Sequence, residues 1–159
     1  MITDLSVISD KQLALMKNEI NERGKMMLTQ EGKKESRIWA LKLIDYLLSS
    51  GYKLPDASKD RMAVVYADQL SEAIVIHGYD QIQKVVREWI KNDTRQYKAF
   101  PTAGDILDAI KNMLGNPAAE IARREHEEEV RKMVERERAE LMKDVSEEHI
   151  EELKRRYEK

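Results

Sequence analysis

The chain has no cysteine. Disulfides, thiolate zinc sites and cysteine nucleophiles are therefore excluded together. Breakers are scarce as well: three Pro and six Gly in 159 residues leave room for long helices. No run approaches the roughly 20 apolar residues that span a membrane. The opening MITDLSVISDKQ lacks a basic start and a long apolar stretch, so an unexported, cytoplasmic protein is expected. A basic excess is missing too. The formal net charge of -2 speaks against a general nucleic-acid coat, and direct nucleic-acid binding is not expected.

Charged residues make up 36% of the chain and apolar residues 42%, with Glu, Lys, Arg, Leu, Ala, Met and Ile prominent. These are helix formers. The expected fold is all-α: a compact helical domain over residues 1–115, then a charged helical extension over residues 116–159.

Capping signals divide the domain. Ser9 and Gln12 form an S-x-x-Q capping box before Leu13, Met16, Ile20 and Met27. Gly24 and Gly32 predict a frayed end or loop across GKMMLTQEGKKES. A second helix is expected from about Ser36 to Ser50, with Ile38, Leu41, Ile44, Leu47 and Leu48 on one face and Gly51 at its end. A third carries Met62, Val65, Tyr66, Leu70, Ala73, Ile74 and His77, and Gly78 stops it. Asp80 and Gln83 read as another capping box. Ile82, Val85, Val86, Trp89 and Ile90 follow with the spacing of a buried stripe. Trp89, Ile82, Val86, Leu41 and Ile44 are expected in the core. Thr102 then caps a helix with Asp105 three residues on, Pro101 fixes φ just outside it, and Phe100 folds back onto the core. Ile106, Leu107, Ile110, Met113 and Leu114 continue that helix. Gly115, Asn116 and Pro117 read as stop, cap and first residue of the next.

Beyond Pro117 the composition changes. Residues 116–159 hold 11 Lys/Arg and 14 Asp/Glu. The apolar residues thin to a seam of Val130, Val134, Leu141 and Val145, about two heptads long. Ser146 is expected to restart the helix, with Val145 and Ile150 as a staple pair. Ile150, Leu153 and Tyr157 give a short apolar edge. A helix this polar has little of its own to pack on, so Val130, Val134, Leu141, Val145, Ile150 and Leu153 are the expected partner-binding residues.

Catalytic chemistry finds no support. His77, His126 and His149 lack metal-ligand spacing. The phosphate-loop pattern fails at Met27 and Lys34 around the GKKES stretch. Asp105 and Asp108 read as capping and solvated carboxylates, and Arg23, Lys25, Lys33, Lys34 and Arg37 as incidental surface charge. No enzyme activity, cofactor or metal is expected.

The segments YADQLSEAI, YDQIQKVVREWIKND and KAFPTAGDILDAI together resemble a known family. They are similar to the small helical loader/inhibitor proteins that phages of Gram-positive bacteria use on the host replicative helicase. The resemblance covers about Met62 to Ile110. Trp89 and the matched F-P-x-x-x-D-I residues Phe100, Pro101, Asp105 and Ile106, with the cap Thr102, are implied to specify the fold rather than catalyse. Tyr66 stands where a bulkier aromatic such as Trp is expected. The resemblance implies a non-catalytic accessory protein of DNA replication in the bacterial host cytoplasm. It implies a C-terminal segment that contacts the hexameric helicase, with a replication initiator protein as a further partner. A helical DNA-binding regulator is one alternative. A homo-oligomer that self-associates through the C-terminal helix is another.

Overall fold

The computed structural model describes residues 5–157, apart from the side chains of residues 144–147. Seven α-helices are present among these residues: α1 (Asp10–Met27), α2 (Gln30–Ser49), α3 (Lys59–Gln69), α4 (Ser71–His77), α5 (Tyr79–Asn92), α6 (Ala103–Leu114) and α7 (Pro117–Tyr157). Among the described residues the only extended pairing is a single parallel bridge, Lys53 with Ala99. The fold is all-α with a long C-terminal helix. Contacts divide the chain into two units, Met1–Ala118 and Ala119–Lys159.

The first capping box forms as its residues suggest. Ser9 accepts from the Gln12 N–H at 3.2 Å, and the Gln12 side chain accepts from the Ser9 N–H at 3.4 Å. The glycine-bearing stretch after it is a tight corner between two helices and not a frayed loop. Thr29 caps α2, so α2 starts six residues before the expected Ser36. The Thr29 hydroxyl accepts from Gly32 N–H at 3.0 Å and donates to the Met26 carbonyl at 2.7 Å. The two backbone segments approach so closely here that a Cβ on Gly32 would lie 1.9 Å from the Met26 oxygen. The sequence signal of Gly32 was therefore steric, a close backbone approach rather than a break.

The inward face of α2 is wider than expected and turned by one position. Trp39, Ala40, Leu43, Ile44 and Leu47 are buried, Leu41 is half-buried and Ile38 is exposed. The reason is that α2 packs against both α1 and α3, so two flanks of the helix face protein. Trp39 packs against Tyr79 with ring centroids 5.1 Å apart.

The expected third helix is two helices. At Leu70 (φ -93°, ψ 0°) the backbone leaves helical geometry. The Ser71 hydroxyl donates to the Asp68 carbonyl at 2.7 Å, a local bond that competes with the helical ladder. Gly78 does stop α4, in the left-handed region at φ 82°. The next helix begins at once at Tyr79, so Asp80 lies inside its first turn and makes no capping box. Its carboxylate still complements the positive end of the helix dipole.

Ile82, Val85 and Val86 of α5 are buried, whereas Trp89 is only half-buried at the rim of the core. Ala103, Ile106, Ala109 and Ile110 of α6 complete it. One residue assigned to incidental charge is structural. Arg23 of α1 donates to the carbonyls of Val75 (2.7 Å) and Ile76 (2.9 Å), satisfying the C-terminal end of α4.

The two glycines of the α1–α2 region should respond oppositely to alanine. Gly32→Ala forces the corner open and should destabilise by about 1–3 kcal/mol or more. Gly24→Ala meets only ordinary contact, 3.7 Å to Val75 Cγ1, and should stabilise by about 0.5–1 kcal/mol. Urea unfolding of both variants beside the wild type checks the signs.

Candidate functional site

Residues 93–102, between α5 and α6, carry the densest polar network of the first unit. It is built around Asp93. The Asp93 side chain is 5% exposed. It accepts from the Tyr52 hydroxyl at 2.6 Å and from the Arg95 guanidinium at 2.8 and 3.0 Å. The Arg95 backbone N–H donates to the same carboxylate at 3.2 Å, closing an Asx turn. Lys98 donates to the Asp93 carbonyl at 2.7 Å.

Rings wall this network. Tyr52 and Trp89 lie 5.5 Å apart, Arg95 covers the Trp89 ring at 5.3 Å, and Lys98 sits 5.8 Å from the Tyr52 ring centre. Trp89 is thus one side of a cation–π sandwich, which explains its position at the rim. Further on, Phe100 stacks on Tyr66 at 6.1 Å, and the buried Tyr66 hydroxyl donates to the carbonyl of the fully buried Pro101. Thr102 caps α6 as expected, and Asp105 returns the bond to close a capping box, at 3.1 and 2.9 Å. Ile106 is buried behind them.

The Phe-Pro-Thr corner is therefore a structural knot. Its carboxylates, hydroxyls and cations are already bonded to one another, and the open hollow beside it, lined by Trp89, Asn92, Thr94, Arg95 and Asp105, offers a ligand few unsatisfied groups. Trp89, Phe100, Pro101, Thr102, Asp105 and Ile106 are brought together here. Tyr52, Asp93 and Arg95 were missed. The signal for Asp93 and Arg95 was the D-x-R spacing just after a helix end; Tyr52 lies 41 residues away and had none.

Electrostatics agree with this reading. Arg95 first, then the Tyr52 hydroxyl, hold the Asp93 carboxyl well below the usual carboxylate range. Burial, then Asp93, pushes Tyr52 up to about 12. Burial also raises Tyr66, with Asp105 a smaller cause. His77 is lowered, by burial first and then by the nearby Arg23. His126 and His149 are exposed on α7. No group of three metal-ligating side chains occurs among the described residues, and none of their helices is long and apolar enough to cross a membrane. The GKKES stretch lies inside α2 and forms no phosphate-cradling loop.

The tail is a single helix. It runs through Ser146 without a restart, so the expected break is absent. Ladders of ion pairs support it: Arg123 and Arg124 both hold Glu120, whose carboxyl is pulled down to about 2, and Arg131 holds Glu128. Pairs three or four residues apart support the helix locally and are screened by salt. Val130, Val134, Leu141, Ile150 and Leu153 are all exposed, as are Tyr157 of the expected apolar edge and Met133 and Met142, which sequence reasoning did not include in the surface. The Val145 side chain lies outside the described residues.

These positions do not share one face. At about 100° per residue, Val134 and Leu141 fall within about 40° of Val130, whereas Ile150, Leu153 and Tyr157 fall about 140–200° away. The helix carries two apolar stripes on nearly opposite sides, one after the other. No family model, curated protein or solved structure matches the chain.

Two outcomes test the corner. Thr102→Ala should lower stability by about 0.5–2 kcal/mol, the range for a lost helix cap, measured by thermal melting. Alkali tests the Tyr52–Asp93 bond. The folded value of Tyr52, about 12, lies above its ordinary value near 10. The folded state therefore holds this proton longer than the unfolded state, and stability is full below pH 10 and falls from there towards pH 12. Urea midpoints across that window should decline less in Tyr52→Phe than in the wild type. Asp93 acts with the opposite sign: its contribution is present above pH 4 and fades under acid.

Proposed function

We propose that the chain is a non-catalytic accessory protein of DNA replication that binds a hexameric replicative helicase, to load it or to hold it inactive. The observation that carries this reading is the F-P-x-x-x-D-I motif folded into a helical domain that is followed by a long charged helix with exposed apolar residues. The motif supplies the likeness to phage helicase loader/inhibitor proteins. The corner that holds it has its polar groups occupied internally, which directs the partner surface to α7.

Within α7, the stripe of Ile150, Leu153 and Tyr157 suits a helix-in-groove contact, with anchors at i, i+3 and i+7. Tyr157 is 84% exposed and Ile150 53%, so burying them would remove much apolar surface from water. A replication initiator protein is the second partner in this reading.

The test is affinity for a purified replicative helicase. Ile150→Glu with Leu153→Glu should weaken binding about a hundredfold or more, since each buried anchor contributes about 1.5–3 kcal/mol. A chain ending at Gly115 should not bind. Circular dichroism should show the first unit folded in both. Undiminished helicase binding by the double variant and by the shortened chain would overturn the reading.

A further inference from the structure

The first unit carries an apolar groove that the corner does not use. It lies between α2 and α3, is closed at one end by the α1–α2 turn, and has a volume of about 480 Å³. Met27, Leu28, Val64 and Val65 supply its apolar lining. Leu28 is 81% exposed, although it sits at a rigid corner. The two walls differ in charge. The α2 wall presents Lys33 and Arg37, with Lys34 beside them, and none of the three has an ion-pair partner among the described residues. The α3 wall presents Asp68.

A complementary surface exists on the same chain. The first stripe of α7, Val130, Val134 and Leu141, is exposed. Its two flanks also differ in charge. At about 100° per residue, Glu137 and Glu140 lie on one side of the stripe, and Arg131 and Arg138 on the other. An apolar stripe with one acidic and one basic flank matches an apolar groove with one basic and one acidic wall. Like-charged alternatives are disfavoured by the same arrangement.

We propose that two copies of this chain associate, the Val130–Leu141 stripe of each seated in the α2–α3 groove of the other. Glu137 and Glu140 then face Lys33 and Arg37, and Arg138 faces Asp68. The reciprocal exchange is isologous and closes as a dimer. The pairing uses neither Ile150 nor Leu153, so it does not rest on the helicase reading, and its failure would leave that reading untouched.

The test is the mass of the full chain in solution, with no other protein present. At about 100 μM, a concentration that populates micromolar interfaces, sedimentation equilibrium should report a dimer. The dimer should weaken as salt is raised, because its partly exposed charge pairs are screened. Leu28→Glu should give a monomer, as should Val134→Glu with Leu141→Glu. All three substitutions lie at exposed positions, and circular dichroism should match the wild type. The decisive arm is a charge exchange. Lys33→Glu with Arg37→Glu should be monomeric, and so should Glu137→Lys with Glu140→Lys. Mixing these two variants in equal amounts should restore a dimer, since each groove then meets a tail of opposite charge. A wild-type monomer at that concentration would overturn the proposal. So would a dimer that survives Leu28→Glu, or a mixture that stays monomeric.

Discussion

Two tyrosine hydroxyls set the path of the second half of the domain. Tyr52, just after α2, is bonded to Asp93, and Tyr66 of α3 is bonded to the Pro101 carbonyl. Both reach the connection between α5 and α6 from the α2–α3 layer. A buried hydroxyl without a partner is costly, so these two bonds fix where that connection must lie. Phe100 stacks on Tyr66 and Trp89 packs tilted against Tyr52, so the same two rings serve as platforms. With both ends of the connection held, Thr102 is placed to start α6, and α6 packs against α5.

The all-α class was legible because it follows from composition and from 3.6-residue spacing, which act over many residues at once. Helix caps were legible where the capping hydroxyl stands free of tertiary demands, as at Ser9 and Thr102. Asp80 failed because Gly78, the one residue between α4 and α5, takes the cap position and has no side chain to bond the first amides. Leu70 was unreadable for a related reason. The apolar spacing from Met62 to His77 is continuous, and only a hydroxyl-to-carbonyl bond interrupts the backbone beneath it. The role of Trp89 was half legible. Its spacing places it on the buried stripe of α5, yet its neighbours Tyr52 and Arg95 are 37 and 6 residues away in sequence, and no local pattern announces their meeting.

The tail shows a different limit. Its apolar residues read as a seam when their positions are counted along the chain. Their azimuths on a straight helix separate them into two stripes, which no linear spacing rule reports unless the angle is summed across the gap between Leu141 and Ile150. A helix organised in this way can engage two different surfaces without either contact blocking the other. Its ion-pair ladders run mostly between residues three or four apart, so they stiffen the rod that both contacts would share.

The Arg23 contact couples two elements that are far apart in the chain. Helix α4 is only seven residues long and has no side-chain cap at its start. An isolated helix of that length does not persist in water. Its last carbonyls are held by a guanidinium that belongs to α1, and α1 packs against it. Detaching α1 would thus remove the support of α4 as well. The amide protons of residues 71–77 should exchange with solvent in step with those of α1, so that the N-terminal helix and a segment some fifty residues downstream open as one cooperative unit.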